Sequence, residues 1–173
     1  MTGDRRRRAA GGVILPDVKQ TDVVTSFLLR RTAAGDEVLL LRRSERVGAY
    51  AGRWAGVSGY LEAAAPLDQA YREIEEETGL ARQDVRLLAK GEPLDVDDAA
   101  LGVRWRVHPF LFEVEAPALV KLDWEHTESR WVRPAELGDY ETVPGLAQAL
   151  AGVYGGGRDR GQETRHTEPG DAS

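Results

Sequence analysis

The sequence predicts an α/β domain, a mixed β-sheet carrying helices. Three observations lead there: two apolar, β-branched runs near the start, a segment with helical spacing between a proline and a glycine, and later strand-like runs that end in a closing helix. The first run is "DVVTSFLLRR" (22–31) and the second "EVLLLRR" (37–43), and "TAAGD" between them reads as a short turn joining two buried strands. A helix is expected to start near Pro66, because proline is tolerated in a first turn, and to stop at Gly79 with Leu80 packing back. Leu67, Ala70, Tyr71 and Ile74 recur on one face of it as the buried stripe. "RWRVHPFLFEVEA" (104–116) reads as a long strand in which Pro109 points to an edge position or a bulge. "ESRWVRPAEL" (128–137) reads as a short strand meeting a proline-started helical turn, and "VPGLAQALAGVYGGG" (143–157) as a last helix stopped by glycine. The expected order is strand, strand, loop, helix, strand, strand, strand, helix.

Composition limits what such a domain can do. With 173 residues and 42% hydrophobic side chains the chain suits one ordinary domain, placed at 20–155. A basic leader (1–19) containing Arg5 to Arg8 and a tail (156–173) nearly without apolar residues are expected to be disordered, since neither can offset its ordering entropy by burial. The absence of cysteine removes disulfides, thiolate zinc sites and cysteine nucleophiles, and makes a cytoplasmic protein the simplest expectation. No apolar run approaches membrane-spanning length, so no membrane partner is expected. A net charge of −6 argues against a broad nucleic-acid surface. His108, His126 and His166 are too scattered to suggest a metal site.

The stretch "YREIEEETGL" (71–80) is harder to explain by folding alone. Glu73, Glu76 and Glu77 stand at i, i+3 and i+4, so their carboxylates share an arc beside the buried stripe and repel one another, whereas Glu75 points away. A solvated acidic face would account for a lone run of this kind. The glycine-bearing loop "GRWAGVSGYLE" (52–62) just upstream can bring backbone close to a ligand, and a hard divalent cation needs several oxygen donors, commonly a few carboxylates together with substrate phosphates. The paired context favours a cation site.

"REIEEETGL" resembles the second half of the Nudix box, G-x5-E-x7-R-E-U-x-E-E-x-G-U, through Arg72, Glu73, Glu76, Glu77 and Gly79. The similarity runs from about Val23 to about Tyr154. The first half departs from the pattern: Ala64 fills the slot of the first Glu and Ser58 that of the Gly, Gly59 stands one place late, and "LEAAAP" replaces the usual segment as though a residue had been lost. The resemblance implies the Nudix fold, an α/β/α sandwich around a mixed sheet. It also implies hydrolysis of a phosphoanhydride in a nucleoside diphosphate linked to another moiety, such as a nucleotide sugar, a dinucleotide or a nucleoside triphosphate.

By the same resemblance Glu73, Glu76 and Glu77 would hold Mg²⁺ or Mn²⁺, with Glu76 or Glu77 a candidate base, Arg72 orienting an acid of the box, and Glu125 a fourth metal-binding carboxylate with Glu128 in reserve. Arg43 resembles a phosphate-gripping position, and Ser58, before Gly59, a backbone carbonyl donor. Among aromatics, Tyr60 and Trp105 are candidate pocket walls for stacking a base, while Trp131 is expected to pack in the core and His108 to be a satisfied structural histidine. "GVSG" lacks the spacing of a serine-nucleophile elbow. The expected partner is a small-molecule nucleotide, with a homodimer compatible. Two other readings stay open, a non-catalytic nucleotide-sensing domain of the same fold and an isopentenyl-diphosphate-isomerase-like enzyme, although the thiol of the latter is ruled out without cysteine. The segments 92–103 and 116–128 are expected to be selectivity loops and name no ligand.

Overall fold

The first two strands, β1 (Lys19–Thr32) and β2 (Gly35–Arg43), form the expected hairpin, paired antiparallel from Leu29↔Val38 to Thr32↔Gly35. Thr32 Oγ1 closes the turn by donating to the Gly35 carbonyl and accepting the Ala34 N–H. The computed structural model describes residues 18–63 and 65–155. The tail expected over 156–173, all but the last two residues of the leader, and Ala64 lie outside the described residues. Phe27 to Leu29 and Val38 to Leu41 are at most 1% exposed, the burial that strands covered on both faces require.

β1 also pairs in parallel with β7 (Val103–Val114), from Lys19↔Val103 to Leu29↔Glu113. A parallel partner needs a long crossover, and α1 (Pro66–Thr78) lies within it. β3 (Trp54–Ala55) and β8 (His126–Val132) border β2, β4 (Val57–Tyr60) borders the first half of β1, and β5 (Val85–Lys90) and β6 (Leu94–Asp98) divide the outer edge of β7. Among the described residues the result is one eight-stranded mixed sheet. α1 covers one face over a core of Val24, Leu39, Ile74, Phe110 and Phe112, and α2 (Leu146–Val153) the other over Phe27, Leu40, Leu111 and Leu150. No helix among the described residues is long and apolar enough to cross a membrane.

Three expectations are corrected. β4 and β6 are strands, not loop. β4 is recruited by its pairing with Val23 to Ser26, and the acids of β6 are offset across the ladder, where Arg104 Nε donates to Asp97 Oδ1 at 2.6 Å. Pro109 lies inside the central strand β7 rather than at an edge. Its missing N–H falls where β6 has ended, at Val107, and β5 has not begun, at Phe110. α2 stops at Val153, before the glycines, where Tyr154 turns extended and donates its hydroxyl to Asp36 at 3.1 Å.

Candidate active site

α1 begins with its proline and ends where Gly79, at φ 73°, donates its N–H to the Glu75 carbonyl. Ala70 and Ile74 are fully buried, Leu67 and Tyr71 partly so, and the helix is thereby fixed in rotation over the sheet. That rotation decides where the acids go. Glu77 is carried almost out of solvent at 2% exposure and accepts the Ser58 N–H on Oε2 at 3.2 Å. Glu73, one turn earlier, is half-buried against β4. A Cβ on Gly59 would stand 2.1 Å from its Oε1, so Gly59 is the residue type that lets loop backbone and carboxylate meet. Glu76 is exposed on the same turn, and Glu75 is exposed too.

Burial pushes the Glu73 carboxyl up to about 7; a hydrogen bond from Gln69 opposes the rise, and the charges of Glu76, Glu125 and Glu62 add to it. Burial likewise raises Glu77 well above the ordinary range, with Glu73, Glu125 and Asp123 adding to the effect and the Ser58 N–H opposing it. Among the described residues no cation is ion-paired with Glu73, Glu76, Glu77 or Glu125. Glu125 enters this field from the segment before β8. Its carbonyl accepts the Ser44 N–H at 2.8 Å, and its own N–H donates to Asp123 Oδ1 at 3.2 Å.

Two supports escaped the sequence reading. Gln69 is fully buried and bonded to Glu73. Asp123 also meets His126 Nδ1 at 2.9 Å, clamping the turn that carries Glu125. A polar residue four before an acid on a helix, and an aspartate two before a loop residue, were the available signals.

Other expected site residues are placed differently. Arg72 is exposed and has no ion pair among the described residues, so its expected pairing with an acid of the box is not made there. Arg43 Nε donates to the Ala49 carbonyl at 2.9 Å and steadies the 44–53 loop. Glu128 does not join the acids: on β8 opposite Arg42 it is held by Arg130 at 3.0 Å and Arg42 at 3.7 Å, beside Trp54 on the α2 side of the sheet. Tyr60 and Trp105 do come together. Their rings, 6.3 Å apart, wall a hollow of about 490 Å³ with Lys19 and Asp22. Trp105 Nε1 donates to the Tyr50 hydroxyl, which in turn bonds Asp98. Trp131 packs beneath the Arg30 guanidinium, as expected of a structural residue. His108 is not satisfied among the described residues: its buried Nε2 has no hydrogen-bond partner there and lies 3.8 Å from Asp22. Trp124 stands 65% exposed beside Glu125.

Among the described residues no group of three or more His, Asp or Glu side chains is already arranged to hold a metal ion. The donor chemistry nevertheless fits one. Several carboxylates raise each other's proton affinity in a half-buried place, and a hard divalent ion is the partner that relieves such repulsion.

The family model of the NUDIX domain matches residues 19–153. The chain belongs to the Nudix family. This Nudix domain is a Nudix-type hydrolase, a class that generally uses divalent metal cations. Its fold is similar to that of a C. elegans Ap4A hydrolase in a binary complex, with TM-score 0.64 and 20% identity over 75% of this chain and 92% of that one. It is also similar to the Nudix hydrolase RenU of M. smegmatis, with TM-score 0.62 and 20% identity over 86% and 90% of the two chains. The MutT protein of Methanosarcina mazei Go1 aligns with TM-score 0.60 and 25% identity over 76% and 90%. Among curated proteins none matches the sequence.

Proposed function

We propose that this Nudix domain hydrolyses a phosphoanhydride bond in a nucleoside diphosphate linked to another moiety, in a reaction dependent on Mg²⁺ or Mn²⁺. The observation that supports it is the seating of Glu73 and Glu77 against the Ser58–Gly59 backbone, in the field of the Glu125 charge, without a compensating cationic side chain among the described residues. Glu73, Glu76, Glu77 and Glu125 would hold the metal, with the Ser58 carbonyl a further donor. When bound, a divalent ion neutralises phosphate oxygens and lowers the pKa of water.

The chain supplies the rest. Glu76, exposed on the turn between half-buried Glu73 and buried Glu77, would accept the proton of the attacking water, with Glu77 as the other candidate. Arg72, exposed and unpaired among the described residues, would meet an anionic oxygen, and Arg43 would offer a phosphate the guanidinium donors beyond its bond to Ala49. The nucleobase would stack on an aromatic face of the Tyr60–Trp105 hollow, whose Tyr60 comes from the strand that carries Gly59.

A panel of nucleotide sugars, dinucleoside polyphosphates and nucleoside triphosphates, assayed with Mg²⁺ and with EDTA, tests this. At least one compound should release a monophosphate or pyrophosphate product, EDTA should stop it, and Glu76→Gln should abolish it. Tight nucleotide binding without any turnover would replace the hydrolase with a sensing domain.

A further inference from the structure

Gln69 does something that neither the box nor the proposed chemistry assigns to it. It is 0% exposed, and a buried primary amide is costly unless both of its ends are bonded. Here they are. Its Oε1 accepts the backbone N–H groups of Glu62, at 3.1 Å, and Ala63, at 2.8 Å, and its Nε2 donates to Glu73 Oε1 at 2.8 Å. One side chain therefore joins the segment in which the box is shortened to the first acid of its intact half. Glu73 is confined from the other side by Gly59, whose missing Cβ leaves the space the carboxylate occupies. The carboxylate stands between a backbone wall and an amide clamp.

We propose that Gln69 is a positioning residue for Glu73, setting the orientation in which that carboxylate meets a divalent cation. The inference rests on the reading of Glu73 as a metal-binding acid. A hydrocarbon at this position would orphan two backbone donors and release Glu73 to other rotamers. Supporting hydrogen bonds of this kind typically change metal affinity by about 10–100-fold.

Mn²⁺ binding measured by calorimetry on the full chain tests the proposal, using wild type, Gln69→Met, Glu73→Gln and the double variant. Methionine matches glutamine in length and lacks both hydrogen-bonding ends. Gln69→Met is expected to weaken Mn²⁺ binding by about tenfold or more, and the double variant to bind no more weakly than Glu73→Gln alone. Unchanged affinity in Gln69→Met, or losses that simply add, would overturn the proposal, since additivity means that Gln69 acts through the loop and not through Glu73. A wild type that binds no Mn²⁺ would instead remove the underlying reading of Glu73. Should Gln69→Met fail to fold, Mg²⁺ titration followed by the Gln69 side-chain amide resonance decides the matter. The resonance should shift in wild type and stay still in Glu73→Gln; a motionless resonance in metal-saturated wild type would end the proposal.

Discussion

A methyl group on residue 59 would stand 2.1 Å from Glu73 Oε1, closer than any nonbonded carbon and oxygen approach. Gly59→Ala must therefore push the carboxylate away or tilt β4, and it tests the site without removing a single donor atom. The expected outcome is a loss of divalent affinity of about 10–100-fold with the far-UV spectrum kept; unchanged Mn²⁺ binding would show that Glu73 does not face the cation. Glu75 supplies the matching control. It lies on the same helix with the same charge but is exposed and away from the cluster, so Glu75→Gln should leave turnover unaltered and change stability by no more than about 0.5 kcal/mol. A simple solvated acidic face would make the four glutamates interchangeable.

At the scale of the element, α1 positions chemistry through its packing. Ile74 is completely buried between Glu73 and Glu75, and its contact with the Val24–Phe110–Phe112 layer fixes which acids turn inward. Ile74→Ala should cost about 2–5 kcal/mol in urea unfolding and, in the molecules still folded, weaken metal binding because the helix loses its rotational anchor. β4 is the second such element. It has only four residues and is held by β1 on one edge and by the Ser58 N–H to Glu77 on the helix side, so strand and helix constrain each other.

For the whole molecule, the acid cluster costs stability in the metal-free chain. Glu73 holds its proton up to about pH 7 in the folded chain against an ordinary value of 4.5. Between those values the folded state binds more protons than the unfolded one, so metal-free stability falls as pH rises through that window. Glu77 shifts in the same direction. Urea midpoints measured in chelator should show this slope, Glu73→Gln should flatten it, and an unaltered slope in that variant would assign the effect elsewhere. Adding Mg²⁺ at about a hundredfold over its dissociation constant should raise stability by about 2.7 kcal/mol, because the ion binds only the folded arrangement of acids. No gain in thermal midpoint with Mg²⁺ or Mn²⁺ would contradict the metal assignment.

The hairpin of β1 and β2 and the limits of α1 were legible in the sequence because each is a local pattern: a burial run, and proline and glycine punctuation. The partnering of β4 with β1, the tolerance of Pro109 inside β7 and the charged strand β6 were not, since each depends on which distant strand lies alongside. Glu125 was named from the sequence, but the Asp123–His126 clamp that holds its turn was not, and Glu128, its near neighbour, proved to be tied to Arg42 and Arg130 instead. Gln69 shows the division most clearly. Sequence alone determined that three acids of one helix share an arc, because spacing sets direction along a helix; only tertiary structure decided that Glu73 and Glu77 meet the glycine loop and that a buried amide joins the two, because hydrogen bonds to backbone across a turn require the loop to be brought there.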